Sequence, residues 1–333
     1  MSGNRSLLTS IFVILVPNAA PLVSYDHCVL IPRTTMKLPV HGGPVMSRGI
    51  DHLVLCVQDL KKAADVYQRM GFTMTPQAQH PFGTGNILAQ LDGCFLEVLS
   101  VTEPENIPKH DGEHFSFGAF NRDYLKSREG ISMLVLDSTD ETQDRAEYQS
   151  KGLHVFEPFE FKRLAKQPDG RSETVGFSLT FVDDPALPDM AFFTCKQWRP
   201  DLFWKPDYQR HANGGLSIAE TYVVTNTPED AGKFLSAYAD ASPQTEADGT
   251  IRVTTSRGDL VAMPPAAFAK MFPGAIADDE NRTAYFAGFK LQVSDLDATR
   301  ACWAGNNINF VDNSDGIWIK PEYGFGCVIA AVT

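Results

Sequence analysis

Apolar residues along this chain come in short runs with two alternating periods. From Gly49 to Val57 nearly every position is apolar, interrupted by Asp51 and His52. Such a run reads as a short apolar strand. From Leu60 the spacing changes, and Leu60, Ala63, Ala64 and Tyr67 fall on one face of a helix. Gly71 ends that helix as a C-terminal glycine does. Phe72–Thr75 is expected to begin a second strand, and Gln79–Asn86 to form a polar, glycine-rich loop. Ile87–Leu91 reads as a third strand, Asp92-Gly93 as a tight turn, and Cys94–Val101 as a fourth strand.

This strand-helix-strands unit repeats. Gly49–Gly71 slides onto Gly130–Gly152 without a gap, so that Ile50, Leu53, Val54 and Leu55 meet Ile131, Leu134, Val135 and Leu136. Tyr67, Gln68 and Gly71 then meet Tyr148, Gln149 and Gly152. A third copy begins near Gly288, where Leu291, Val293, Asp295 and Leu296 match Leu55, Val57, Asp59 and Leu60. A weaker copy runs from Ser217 through Val223-Val224 into a helix at Pro228–Tyr238. Repetition on this scale sets the architecture: an α+β protein of tandem βαβββ modules. Residues 48–200 hold the first pair of modules and residues 201–333 a second, degenerate pair.

Residues 1–47 break with this pattern. Leu7–Val16 is apolar, follows Arg5 and precedes Asn18-Ala19-Ala20, like a signal peptide with a short hydrophobic region. Met46 stands just before the first module, so an upstream extension of the reading frame is the preferred reading. Exported proteins usually pair their cysteines. The six here show no Cys-x-x-Cys, and four lie in apolar strand runs. They are expected to be free thiols in a reducing, cytoplasmic setting.

Apolar residues make up 43% of the chain and charged residues 21%, as in a soluble globular protein. The net charge of −12, with no Lys/Arg-rich stretch, argues against nucleic acid or an anionic membrane as partner.

His52 is the first candidate for chemistry. Alternation along the strand places Ile50, His52, Val54 and Cys56 on one face, and Phe95, Glu97 and Leu99 share a face of the fourth strand. A buried imidazole and a buried carboxylate are costly without partners, and a divalent metal would satisfy both. A lone strand histidine is more often simply packed and hydrogen-bonded. Yet the other copies carry Met133, Gly288 and, more loosely, Ala219 at its position, which favours a site over a scaffold role. His110 and His114 sit in an acidic loop and read as solvated. Gly83–Asn86 is no phosphate loop, because no Lys follows and the next element is a strand. Phe117, Phe120 and Tyr124 belong either to the core or to a rim, and Trp198, Phe203 and Trp204 either to a pocket or to a module interface.

Taken together, Gly49–Val54, Asp59-Leu60, Gly71-Phe72, His80 with Gly83-Thr84 and Asn86, Phe95–Leu99 and His211-Ala212-Asn213-Gly214 resemble the vicinal oxygen chelate superfamily, in particular its glyoxalase-like members. The resemblance is detailed over Gly49–Val101, general over Gly130–Trp198 and thin beyond His211. It implies paired modules curled into a cup that holds a divalent metal, which chelates neighbouring oxygens of a substrate. Carried over, the ligands are His52 and Glu97. Partner-module ligands are missing, since Met133 replaces the histidine and Met190–Trp198 has no carboxylate. His211 is the favoured third ligand and His80 the other candidate.

The implied cofactor is Zn(II), Mn(II), Ni(II) or Fe(II), and the implied chemistry a glyoxalase-like lyase or isomerase reaction on a small oxygenated substrate. Glu97 and His80 are the candidate bases, and Phe82, Thr84 and Asn86 the substrate contacts. Ferrous iron would support dioxygenase chemistry instead, and a metal-free cup would be a small-molecule binder. Glu220 and Glu322 read as isolated acids. The second half is expected to cover the first or to mediate association as a homodimer.

Overall fold

The computed structural model describes residues 47–167, 170–275, 283–313 and 316–333. The reading of residues 1–47 therefore lies outside the described residues except at Ser47. The first module is β1 (Ile50–Cys56), α1 (Leu60–Arg69), β2 (Ala78–Gln79), β3 (Thr84–Gln90) and β4 (Phe95–Val101). Helix α2 (Phe117–Tyr124) leads to the second module: β5 (Gly130–Asp137), α3 (Glu141–Ser150), β6 (His154–Val155), β7 (Phe159–Lys166), β8 (Ser172–Asp183) and β9 (Ala191–Gln197). A short helix, α4 (Pro200–Phe203), starts the linker. The third module is β10 (Gly215–Thr225), α5 (Pro228–Ala239), β11 (Pro243–Thr245), β12 (Ile251–Thr254) and β13 (Asp259–Met263), followed by α6 (Pro265–Met271). The fourth is β14 (Ala284–Val293), α7 (Leu296–Gly305), β15 (Val311–Asn313), β16 (Gly316–Ile319) and β17 (Val328–Val332).

Each pair of modules forms one mixed sheet. In the first, the order β2-β3-β4-β1-β5-β9-β8-β6 joins the modules through antiparallel β1 and β5, while β7 pairs with β8. In the second, the order β11-β12-β13-β10-β14-β17-β16-β15 repeats the plan through β10 and β14. The helices start alike. Asp59, Asp140 and Asp295 each accept a backbone N–H of the first turn, at Lys62, at Thr142 and Gln143, and at Ala298. Gly71 leaves α1 at φ +92°, and a Cβ there would lie 2.7 Å from Asn213 N.

The two sheets share a core. Leu53, Leu55, Leu96 and Val98 from the outer face of the first pack in one cluster with Val223, Leu260, Phe289 and Ile329 of the second. Tyr238 of α5 donates to the carbonyls of Leu134 (3.0 Å) and Phe193 (2.6 Å), tying the halves together. The inner faces carry separate clusters, one around Val54, Phe95, Leu99, Met133 and Phe193, the other around Tyr222, Val261, Trp318 and Val328. Phe268 of α6 and the following Phe272 fill the second inner face.

Four local expectations are corrected. Phe72–Thr75 is not a strand, because the linker takes its polar groups: Thr73 N–H donates to His211 Nδ1 at 3.0 Å and Thr73 Oγ1 to Arg210 O at 2.5 Å. The third strand begins earlier than expected, at Thr84, as Gly83 (φ +88°) makes the turn. Ile50 does not share the face of His52. A register shift between them turns Ile50 to the outer core. Glu220 is not isolated, since Tyr222 Oη donates to it at 2.5 Å and Lys290 and Arg252 lie at 3.1 and 3.3 Å.

Candidate functional site

Strands β1 and β4 run parallel, with His52 opposite Phe95 and Val54 opposite Glu97. His52 and Glu97 both point to the inner face, and Nε2 of one lies 3.5 Å from Oε2 of the other. The same register compared in β5 and β9 sets Met133 opposite Ala191 and Val135 opposite Phe193. The second module thus carries Met133 and Phe193 where the first carries His52 and Glu97. One pole of the cup is polar and the other apolar.

Each polar side chain is held in place. Asp51 Oδ2 accepts from His52 Nδ1 at 2.6 Å, and Gln197 Nε2 donates to Asp51 Oδ1 at 3.3 Å. The imidazole of His52 stacks on Phe95, with centroids 4.2 Å apart, and meets the edge of Phe193 at 5.6 Å. Asn86 Nδ2 donates to Glu97 Oε1 at 2.5 Å and lies 3.3 Å from His80 Nε2. His80 Nδ1 contacts Thr84 Oγ1 at 2.9 Å, and its ring stacks on Phe82 at 4.9 Å. His80 Nε2 is 3.8 Å from Glu97 Oε1. Burial, helped by the charges of Arg163 and His52, lowers the pKa of His80 to about 3. Its ring is therefore neutral, with the proton on Nδ1 and a lone pair on Nε2 that accepts from Asn86.

This arrangement leaves a charge to be supplied. A carboxylate only accepts, so the Asp51 contact assigns the Nδ1 proton of His52. When His52 is neutral its Nε2 lone pair faces the Glu97 carboxylate, one acceptor against another. A proton or a cation between them would satisfy both. Asn86 Oδ1, buried without a partner, is a further free acceptor. The donors are two imidazole nitrogens and a carboxylate, a set that suits Zn(II), Mn(II) or Fe(II). The site residues thus fit a divalent cation by chemistry. Among the described residues, however, no three His, Cys, Asp or Glu side chains are drawn together as a ready-made cage. Asn86 lies between His80 and Glu97 instead.

His211 does not belong to this group. Its Nδ1 accepts the Thr73 N–H and its Nε2 donates to Gln90 O at 2.7 Å. Both nitrogens are spent on backbone, so the expected third ligand is a strut of the linker. Thr84 acts through His80 and is not part of the pocket wall. His110 and His114 are exposed, and His114 pairs with Asp111 at 2.8 Å.

The inner chamber has His52, His80, Asn86, Glu97, Phe82 and Phe95 on one side. Phe161, Arg163, Phe177, Phe193 and Phe203 form much of the rest. It shares His80, Asn86, Leu88, Arg163 and Phe203 with an outer, open chamber that also reaches Lys162, Lys205 and Tyr208. Asp51, Arg163 and the phenylalanines of β7 and β8 were missed in the sequence. The alternation Phe159-Glu160-Phe161-Lys162-Arg163 is the signal that would have pointed inward for the last group.

Comparison with known proteins bears on this fold. The sequence model of a family described as a glyoxalase-like domain matches residues 50–239, from β1 through α5. No curated protein matches the chain. Among solved structures, a hypothetical protein from Staphylococcus aureus superposes with a TM-score of 0.59 over 86% of this chain and 99% of its own, at 12% identity. A xylose isomerase-like TIM barrel/4-hydroxyphenylpyruvate dioxygenase fusion protein superposes with a TM-score of 0.50 over 85% of this chain, at 10% identity. This chain spans 48% of that fusion protein. At such identities the likeness is one of fold. With its tandem βαβββ modules and the match over residues 50–239, the chain belongs to the glyoxalase-like domain family of the vicinal oxygen chelate superfamily.

Proposed function

We propose that the first cup is the active site of a metal-dependent enzyme that acts on a small substrate bearing a carbonyl or neighbouring oxygens. The reaction class is that of a glyoxalase-like lyase or isomerase. The observation that supports this reading best is the 3.5 Å approach of His52 Nε2 to Glu97 Oε2 with Asp51 already holding Nδ1. His52 and Glu97 would hold the cation, with His80 Nε2 in place of His211 as the third donor. A divalent metal so held polarises a substrate carbonyl as a Lewis acid.

The chain's own groups divide the remaining work. Asp51 orients His52 and keeps its lone pair directed into the pocket, a role that carboxylates often play behind ligating histidines. His80, with its pKa near 3, is too weak a base for proton transfer near neutral pH and serves as a neutral donor. Glu97, steadied at Oε1 by Asn86, would be the group that moves a proton if it leaves the cation during turnover. The phenylalanine walls exclude water and strengthen each polar contact inside.

Titration of dialysed full-length protein with Mn(II), Zn(II), Ni(II) and Fe(II) tests the reading. Stoichiometric binding is expected in the natural sequence and in His211→Ala, and its loss in His52→Ala and Glu97→Ala. Retention of binding by both site variants would refute it.

A further inference from the structure

Among the described residues, Arg163 stands in the wall of the cup without a contact ion pair. It lies on β7, opposite Val175 of β8. Strand alternation gives it the same side as Phe159 and Phe161, while Leu164, beside it, is 66% exposed. Its guanidinium lies over the Phe177 ring at 5.8 Å. Its hydrogen bond is a long one, from a terminal nitrogen to Leu164 O at 3.4 Å. Nε is buried with no partner. Among the described residues Arg163 makes no ion pair, whereas Arg48, Arg128, Arg145, Arg199, Arg210, Arg252, Arg257 and Arg300 all do.

That exception has a cost. An unpaired charge drawn partly out of water is unfavourable, and Arg163 is half-buried. Burial lowers the pKa of Arg163, and Glu97 acts on it in the opposite sense from across the chamber without touching it. Arg163 lines both chambers, at the residues they share. Around it stand Phe161, Phe177 and Phe203, an apolar seat for the body of that ligand.

We infer that Arg163 receives the carboxylate of the substrate, so that the cup takes a small apolar monocarboxylic acid. One planar guanidinium matches one carboxylate fork to fork. A dianion such as a phosphate ester would call for a second cation at the same point. The lysines that line these chambers belong to the outer one: Lys162 lies over Trp198, and Lys205 donates to Asp201 O at 3.2 Å. This inference names the substrate class of the site proposed above and rests on that reading for the chemistry, though not for binding.

The test is binding to metal-free full-length protein, measured by calorimetry or ligand-observed NMR. The probes are phenylacetate and 2-methylpropanoate, each against its neutral amide, with phenyl phosphate added. At least one acid is expected to bind roughly tenfold or more tightly than its amide, as a charge-assisted pair allows. Arg163→Gln should bring acid and amide together without weakening the amide, and Arg163→Lys should restore part of the preference. Acids that bind no better than amides, or not at all, overturn the inference. So does a preference that survives Arg163→Gln, or tighter binding of phenyl phosphate. Because no metal is present, failure here leaves the His52/Glu97 reading standing, and failure of metal binding leaves this one standing.

Discussion

Asp51 and His52 are neighbours in the chain, and their side chains meet, with Oδ2 2.6 Å from Nδ1. Successive residues of a regular strand point to opposite faces, so this contact needs an irregularity. The register of β1 against β5 shifts between Ile50 and His52, which turns Asp51 toward the imidazole. Gln197 at the end of β9 holds the other carboxylate oxygen. The hydrogen bond therefore depends on both modules of the first sheet.

If Asp51 directs the lone pair of His52, Asp51→Asn should weaken metal binding by about 10- to 100-fold, the usual cost of losing such a partner. The fold should be retained, since Asn can still accept from Nδ1. Metal titration with a circular dichroism control checks this. Unchanged affinity would leave Asp51 a purely structural neighbour.

His211→Ala separates scaffold from site. The change strands the Thr73 N–H and the Gln90 carbonyl. It should destabilise the protein by about 1–3 kcal/mol and leave metal affinity nearly untouched. Urea unfolding and metal titration of the same variant report the two effects independently.

His80 predicts a pH dependence. Its pKa falls from the ordinary 6.5 to about 3 on folding. Above about pH 6.5 neither state binds the proton and the group has no effect. As the pH falls below that value the unfolded chain protonates first, so stability declines until about pH 3, where both states are protonated. In metal-free protein, His80→Asn should flatten this acid limb. Urea midpoints at about pH 4.5 and about pH 7 should differ less in the variant than in the natural sequence.

Arg48 ties the start of the first module to α3. Its guanidinium bonds to Asp144 at 2.9 Å and Glu147 at 2.7 Å and lies over the Tyr148 ring at 4.9 Å. A chain starting at Met46 should keep the thermal midpoint of the full chain. One starting at Ile50 should lose about 1–3 kcal/mol, because Asp144 is left buried without its partner. Equal midpoints for the two would show that the contact is dispensable.

Much of this protein was legible in one dimension. The gapless offset between Gly49–Gly71 and Gly130–Gly152 specifies two equivalent strand-helix units, because the apolar period and the helix caps are local properties. It also shows that His52 lacks a counterpart. The polar pole of the site could be read for a related reason: Glu97 lies between Phe95 and Leu99 on one strand face, and His52 shares its face with Val54. The sequence could not place His211. A His-x-Asn-Gly element looks the same whether its imidazole meets a cavity or the backbone of Thr73 and Gln90, and only the path of the linker decides. Asp51 was hidden because a bulge overrides strand alternation, and a bulge is set by cross-strand register. Arg163 was hidden because its missing partner is a property of the whole fold. A lone charge becomes visible only once every neighbour that might have neutralised it has been placed.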